Sequence, residues 1–491
     1  MKITVKETTV HLKFKFILAV ILIYISCEKQ EIKDPPVDIV LARVEGKIIT
    51  KNDFIQRCEY TPRPAYCGND SYIHKKIALN SLIAEKLLSN LFKEKGFQLS
   101  ESQTQFVLGR KEQEMRKFMF KKFGYDKVFI DNEKIKLMAT LYNRKYEIIY
   151  YSCLESESFK INNMNEENRF ELASYIESQF YDIKDFKKLL SSNDNMLPKV
   201  REELYQKTPQ KNILYGPYIL ENGEYFYFGI DGWLDQVDVT NKQKSETYDA
   251  VLQDYKESES LKNYSLYVSS IMRGKSINFN KNVFNEFSNI LSKTYFISKS
   301  KRDSTFENVI WDNLEIIDHS SINLDLNLEA LILLNHDNRD WSVDDILDLI
   351  KTHPLVFRKK NINELNFKKE LKHSIVDLIR DMHITSKAYD YKLDEEFNVS
   401  QNFSMWGDHI SATIISNAID RDKKENFIKN LTNENSNNIE INFDVFDSIK
   451  LSRIPMFVKE KNAAYTVSVP VFPELTSSHV IDYGKKLVIR K

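Results

Sequence analysis

The residues that most often carry out chemistry in proteins are few and scattered in this sequence. It has nine histidines and four cysteines in 491 residues, and no CxxC pair or His/Cys cluster has metal-ligand spacing. The GxSxG, P-loop and HExxH signatures are absent as well. Asp344, Asp345 and Asp348 lie together, but at a predicted helix start, where acidic residues stabilise the helix dipole. The sequence therefore predicts neither a metal site nor a cofactor.

Cys27 is the cysteine with the most informative surroundings. Four lysines precede an apolar run over 16–25, which is typical of a secretory signal and too short for a comfortable membrane span. A small residue followed by Cys27 resembles the bacterial lipobox, although Tyr24 stands where that pattern usually has Leu. The resemblance implies a signal peptide over 1–26 and lipid attachment at Cys27. Ordinary cleavage and an uncleaved anchor are the alternatives.

The other three cysteines are Cys58, Cys67 and Cys153. Export to an oxidising compartment would allow Cys58 and Cys67 to close a small loop as a disulfide. The odd number of cysteines argues against a disulfide framework. Whether this pair forms is left open by the sequence.

Composition narrows the possible classes of protein. A chain of 491 residues exceeds one hydrophobic core, and only 12 glycines and 11 prolines favour long helices over a β-sandwich, barrel or Rossmann sheet. The 70 basic and 71 acidic residues nearly cancel, so electrostatics gives no support for a nucleic-acid partner.

The exported part of the chain begins with a short hairpin that leads into a capped helix. Residues 40–50 read as two strands around a Glu45-Gly46 turn, and Thr50 precedes Asp53 by the three residues of a capping box. Apolar periodicity and caps predict further helices over 74–96, 100–123, 131–146 and 245–272. We therefore expect a mainly helical protein.

A small α/β unit interrupts these helices over 145–235. Residues 145–153 are β-branched and aromatic, as in a strand, and a helical stretch is predicted over about 165–191. Two strands over 215–233 flank the sequence Glu-Asn-Gly at 221–223, an Asn-Gly hairpin turn.

Several features of the first half recur in the same order in the second half. Ser342 and Asp345 repeat the cap of Thr50 and Asp53. The helical segment 81–92 matches 377–388 after a four-residue insertion, and 277–284 (INFNKNVF) is echoed by 441–446 (INFDVF). The ordered matches predict an internal duplication in which only the first copy carries the α/β unit. Trp341 and Trp406 are predicted to be core anchors.

The N-terminal segment resembles the SurA/PrsA-type secretion foldases. The family pattern of a small hairpin followed by amphipathic helices is matched by Val44, Gly46, Ile49, Thr50, Phe54, Leu82, Ile83, Leu87, Leu88 and Gly96. The resemblance is good over about 40–100 and moderate over 245–272. Family members insert a parvulin-type prolyl isomerase unit where 145–235 lies. In place of the two parvulin histidine motifs, however, the chain has Glu147-Ile148-Ile149 and Gly223-Glu224-Tyr225.

The expected fold is mainly α with a small inserted α+β unit: a SurA-like helical chaperone core, a parvulin-like insert and a second helical repeat at the C-terminus. The expected divisions are a signal peptide (1–26), a tether (27–39), a SurA N-like helical domain (40–144), a degenerate parvulin-like domain (145–240), helices that complete the first unit (241–291) and a second repeat-like domain with C-terminal strands (292–491).

The resemblance implies a chaperone or foldase, lipid-anchored on the periplasmic face of the envelope. The outer membrane is the expected location, and the choice between inner and outer membrane is left open. It would bind unfolded segments of exported proteins without ATP, and any isomerase activity would be weak or absent. One alternative is an active parvulin-type isomerase, with Tyr150, Tyr225 and Tyr227 lining its peptide cleft. The other is a non-catalytic structural lipoprotein of an envelope assembly. Clients and oligomeric state are left open.

Overall fold

A computed structural model describes most of the chain from residue 39 onward. The described residues are 39–68, 71–153, 187–192, 194, 196–211, 213–220, 224–297, 326–353, 355–358, 362–452 and 469–487. The predicted signal peptide, Cys27 and nearly all of the tether lie outside this part. Helices predominate and the sheets are small, as the composition predicts. None of the helices described here is both long and apolar enough to cross a membrane.

The first unit and the inserted unit contain helices and strands in nearly the order that the sequence predicts. The first unit contains β1 (Val40–Val44), β2 (Lys47–Thr50), α1 (Lys51–Glu59), α2 (Tyr72–Glu94), α3 (Glu101–Phe123) and α4 (Asn132–Tyr142). The inserted unit contains β3 (Arg144–Cys153), β4 (Lys187–Leu190), α5 (Pro198–Tyr205), β5 (Leu214–Ile219) and β6 (Tyr225–Asp235).

A long helix leads from the insert to the second unit. The connecting elements are α6 (Asn241–Met272), β7 (Ile277–Phe279) and α7 (Lys281–Ile297). The second unit contains α8 (Leu326–Glu329), β8 (Ile332–His336), β9 (Arg339–Ser342), α9 (Val343–Thr352), α10 (Glu364–Asp390), α11 (Phe397–Asn417), α12 (Arg421–Glu434), β10 (Ile439–Ile441), α13 (Phe443–Ser448) and β11 (Lys485–Lys486).

The two predicted helix caps are present and have the same geometry. The Thr50 hydroxyl accepts the backbone N–H of Asp53 at 3.0 Å, and the Ser342 hydroxyl accepts that of Asp345 at 3.0 Å. Each aspartate accepts the N–H of its cap residue in return, at 3.0 Å and 2.8 Å. Asp345 thus serves the helix start, as the sequence indicates.

The hairpins before these caps are also built alike. Glu45 and Asp337 occupy the corresponding turn positions with positive φ angles of 49° and 50°. The backbone N–H of Lys51 donates to the carbonyl of Ile39 at 2.8 Å in the first unit. The N–H of Val343 donates to the carbonyl of Leu331 at 3.0 Å in the second. The sequence repeat therefore corresponds to a repeated local structure.

Each hairpin is completed by a strand from the other predicted repeat. The first-unit strand β1 pairs antiparallel with β10, so that Val44 faces Ile439. The second-unit strand β8 pairs antiparallel with β7, so that His336 faces Ile277. The residues of β7 and α7 consequently pack with the second hairpin, across the predicted division at residue 291. Each predicted repeat therefore supplies one strand to the sheet of the other repeat.

The helices of the two units pack directly on one another. The second-unit helix α11 lies against α2 and α3, and α3 also contacts α9 and α10. Trp406 of α11 is buried against Phe106 of α3, with ring centroids 5.4 Å apart. Trp341 is buried in the second core. Both tryptophans are core anchors as predicted, and the two units form one intertwined body.

The inserted unit is a four-stranded antiparallel sheet with α5 against one face. Its strand order is β4-β3-β6-β5. The prediction of helix to about residue 191 is wrong at its end, because Lys187–Leu190 form strand β4, in which Leu190 pairs with Tyr146. Short apolar runs do not distinguish strand from helix, and pairing with β3 decides here. The rest of that predicted helix and the 221–223 turn lie outside the described residues.

Candidate functional site

A cleft of about 660 Å³ opens where the two units meet. The hairpin β1–β2, helix α2, the start of α3 and helix α11 surround it. Its apolar lining consists of Ile48, Phe92, Phe97, Leu99, Val107 and Phe403. Phe97 and Phe403 are 52% and 40% exposed, so their rings are available to a bound molecule.

A buried polar cluster forms the floor of this cleft. Asp408 of α11 accepts from the Lys47 ammonium at 2.6 Å and from the Lys86 ammonium at 2.8 Å. The Ser89 hydroxyl donates to the same carboxylate at 2.7 Å and accepts from Lys47 at 2.9 Å. Two ammonium groups against one carboxylate leave the floor positively charged. Lys47 is the most exposed of the three charged side chains, at 19%.

The charges of the floor shift one another's pKa values. Burial by itself would raise the pKa of Asp408, but Lys86 and Lys47 outweigh it and hold the pKa below its usual value. The pKa of Lys47 is lowered, chiefly by burial and further by Lys93 and Lys86, against the attraction of Asp408. The carboxylate is therefore ionised at neutral pH.

A second buried ion pair lies one helical position away and joins the same helices. Arg57, on α1, donates to both carboxylate oxygens of Glu85, on α2, at 2.9 and 2.8 Å. His409 of α11 bonds the same carboxylate through Nδ1 at 3.0 Å, and Arg57 also donates to the carbonyl of Val471 at 2.6 Å. These contacts fix α1, α2, α11 and the C-terminal segment relative to one another.

Polar side chains at the edge of the cleft can bind a polypeptide backbone. Gln98, Thr104 and Ser404 lie on its lining and offer hydroxyl and amide groups. The Gln401 amide already donates to the carbonyl of Ile48 at 2.9 Å and to Asp53 at 2.8 Å, which attaches α11 to the hairpin. The cleft thus combines aromatic walls, hydrogen-bonding edges and a cationic floor.

The structure separates the three tyrosines predicted from the sequence. Tyr150 lies on the α5 side of the sheet, where its ring stacks on Phe226 at 5.9 Å. Tyr225 and Tyr227 point to the opposite face, with Cys153. Side chains alternate between the faces of a strand, so Tyr150 does not share one cleft with the other two. Tyr227 is only 2% exposed and Phe228 is fully buried, so both faces are covered there.

The cysteines within the described residues are all buried. Cys58 and Cys67 lie in the first core and Cys153 lies beside Tyr227, and none of the three forms a disulfide. Burial raises the pKa of Cys58 and of Cys67 to about 12, which makes them poor nucleophiles. They contribute to packing in this structure, without the disulfide that the sequence left open.

Sequence reasoning did not identify the cleft, because its charged residues are far apart in the chain and each alone resembles a solvated side chain. One usable signal was Asp408, an acidic residue within the apolar helical run around Trp406 and Ile410. The fold converts that residue into the centre of a buried cluster. Comparisons of this chain with protein-family models, curated proteins and solved structures find no match.

Proposed function

We propose that the protein is a membrane-tethered chaperone of the bacterial periplasm that binds extended segments of unfolded exported proteins without ATP. The tether would be lipid on Cys27, and the binding site would be the cleft between the two units. The SurA-like hairpin and helices of the sequence motivate this class of protein. The cleft supplies a site with matching chemistry.

The observation that carries the proposal is the pair of exposed phenylalanines in a preformed cleft. Phe97 and Phe403 both line a space of about 660 Å³, in the size range of protein binding sites. Covering an aromatic ring removes a large apolar area from water and needs no particular sequence in the partner. Such a site suits clients that share exposed apolar side chains.

The polar part of the cleft supports binding of an extended chain. A polypeptide backbone carries unpaired carbonyl groups, which the Lys47 ammonium and the Gln98 and Ser404 side chains can satisfy. The Thr104 hydroxyl already donates to the carbonyl of Ser100, so it offers only an acceptor. Contacts with the backbone are independent of sequence, like those of the aromatic walls. No nucleotide-binding signature accompanies them in the sequence, in keeping with binding that needs no ATP.

The isomerase alternative draws less support from the geometry. An isomerase needs a shaped pocket that twists an amide over a barrier of about 18–20 kcal/mol. The sheet places Tyr150 and the pair Tyr225 and Tyr227 on opposite faces, and Tyr227 is already covered. An assay of cis–trans isomerisation in a proline-containing peptide decides this alternative. If the full-length protein accelerates isomerisation above the uncatalysed rate, the isomerase alternative is supported again.

The chaperone proposal is tested with a urea-unfolded outer-membrane protein diluted into buffer with the full-length protein. Light scattering measures aggregation, and fluorescence anisotropy of the labelled client measures affinity. Combined Phe97→Ala and Phe403→Ala substitutions should weaken binding at least about tenfold, since each buried Phe contributes roughly 1.5–3 kcal/mol. The side chains are partly exposed, so the fold should tolerate both changes.

Phe129→Ala is the matched control, because Phe129 is 81% exposed and lies outside the cleft lining. It should bind the client like the wild type. Equal loss in the control, or unchanged binding in the double variant, would show that the cleft is not the binding site. Failure to suppress aggregation, together with tight co-purification of one defined envelope protein, would favour the structural-lipoprotein alternative.

A further inference from the structure

Two histidines and an aspartate converge at the second hairpin. His336 ends β8, Asp337 begins the following turn, and His383 lies on α10. One ligand atom from each residue lies within 4.8 Å of the others. His336 is only 3% exposed, while Asp337 is open to solvent. This cluster could not be predicted from spacing, because 47 positions separate the two histidines.

The hydrogen bonds of His336 orient a lone pair toward the cluster. Its Nδ1 lies 2.9 Å from the backbone carbonyl oxygen of Ser276. A carbonyl oxygen only accepts, so Nδ1 carries the hydrogen and donates it. In the neutral ring, Nε2 is then unprotonated and accepts a hydrogen bond from Nε2 of His383 at 2.7 Å, the hydrogen that a bound metal would replace. A backbone carbonyl on the far ring nitrogen is the arrangement that orients metal-binding histidines.

The first unit shows that the fold does not require these histidines. By the repeat, His336 corresponds to Val44 and His383 corresponds to Leu87. Val44 is fully buried and Leu87 is 2% exposed, and both belong to the first apolar core. The second unit therefore carries two imidazoles where the first has an apolar contact. Apolar packing alone therefore does not explain why the second unit has histidines at these two positions.

We propose that His336, Asp337 and His383 bind one divalent transition-metal ion of the zinc class. Zn–N bonds of about 2.0–2.1 Å place tetrahedral ligand atoms about 3.3 Å apart. The Nε2 atoms, at 2.7 Å, would separate slightly, and Oδ2 of Asp337, at 3.8 Å from Nε2 of His336, would approach. Three protein ligands leave a fourth position for water.

The ligand types select the metal. Two imidazoles and one carboxylate favour Zn²⁺, Ni²⁺ or Cu²⁺ over Ca²⁺ and Mg²⁺, which prefer all-oxygen sites. Bound metal would join the β8–β9 hairpin to α10. Lys275 competes with the metal for the carboxylate of Asp337, because its ammonium lies 2.5 Å from Oδ2 of that residue. The metal has to displace that ammonium from the carboxylate.

The test is a zinc titration of the metal-free full-length protein against a chromophoric chelator of micromolar affinity. Cobalt(II) added in place of zinc should give the visible absorption of a four- or five-coordinate site. We expect one equivalent of zinc. His336→Val combined with His383→Leu copies the first unit, so it should stay folded by circular dichroism and bind at least a hundredfold more weakly.

Two single variants test the third ligand. Asp337→Asn suits the positive φ angle and should weaken zinc binding at least tenfold, while Lys275→Gln should strengthen it severalfold. His373→Gln, on the same helix α10, is the matched control and should bind like the wild type. The proposal is overturned if no stoichiometric zinc binds, or if the double variant or Asp337→Asn binds as tightly as the wild type.

Discussion

Removing the charge of Glu85 should selectively destabilise the region where the two units meet. Glu85 and Arg57 are 1% and 0% exposed, and the pair contributes two hydrogen bonds below 3 Å. Glu85→Gln preserves the size of the side chain and removes its charge. The Arg57 guanidinium stays charged, because arginine is not deprotonated in proteins.

The magnitude follows from leaving a buried charge without its partner. The remaining acceptors of Arg57 are the carbonyl oxygen of Val471 and one oxygen of the new amide, while the amide NH₂ opposes a guanidinium donor. Breaking a buried ion pair by removing one partner costs about 3–5 kcal/mol. His409 also loses a charged acceptor. At about 1.4 kcal/mol per factor of ten, local opening should become roughly a hundredfold to a few thousandfold more frequent.

Hydrogen–deuterium exchange with mass spectrometry measures this opening segment by segment. Peptides from α2 and α11 should exchange faster in the variant, and peptides from the inserted sheet should not change. Glu133→Gln is the matched control, because Glu133 pairs with Lys136 on the surface and is 84% exposed. Surface pairs contribute about 0–1 kcal/mol, so its exchange should match the wild type.

The same pair makes a signed prediction about pH. Burial alone would raise the pKa of Glu85, but Arg57 and His409 hold it well below its usual range. The folded-state pKa is below the unfolded value of about 4.3, so this stabilisation is complete above that value and is lost as pH falls toward the folded-state pKa. The difference between the wild type and Glu85→Gln should therefore narrow below about pH 4. An exchange difference under about tenfold at pH 7, or one that widens in acid, would refute the reasoning.

Burial and close packing give two further predictions. With pKa values raised to about 12 by burial, Cys58 and Cys67 should react with a maleimide at pH 8 at least about a thousandfold more slowly than free cysteine until urea is added, as mass spectrometry can show. A Cβ at Gly109 would lie 1.8 Å from the carbonyl oxygen of Thr352, so Gly109→Ala should destabilise by about 1–3 kcal/mol. A Cβ at Gly407 would meet no neighbouring atom within 4 Å, so Gly407→Ala should stabilise the protein by up to about 1 kcal/mol in thermal unfolding. A Gly407→Ala variant less stable than Gly109→Ala would contradict the packing.

Local features of the fold could be predicted from the sequence because they depend on residues close in the chain. The caps at Thr50 and Ser342 each need a partner only three residues away, and both are present. The hairpin turns likewise depend on a few neighbouring residues. The repeat was visible because these local signals recur in order. Such features follow from short-range hydrogen bonding and periodicity.

Features that depend on distant residues could not be predicted. Strand β10 is three residues long, and its partner β1 lies almost 400 positions earlier. The sequence pattern of β4 predicts helix, because the segment is short and only its pairing with β3 makes it a strand. The same holds for Lys47, Lys86 and Asp408, which become a cluster only when the two units pack together.

The exchange of strands bears on how the cleft would bind a client. Lys47 lies on the β1–β2 hairpin, which pairs with β10 of the second unit, and Asp408 lies on α11 of the same unit. The second unit therefore contacts the cleft on both sides, through β10 and through α11. Separating the two units to widen the cleft would require breaking the Asp408 cluster and the hydrogen bond between Glu85 and His409 together. A preformed cleft does not have to be ordered when it binds, so the apolar contacts of Phe97 and Phe403 are not offset by that entropy cost. Binding by a rigid body with a fixed aromatic surface is therefore more consistent with this structure than closure of two separate helical arms.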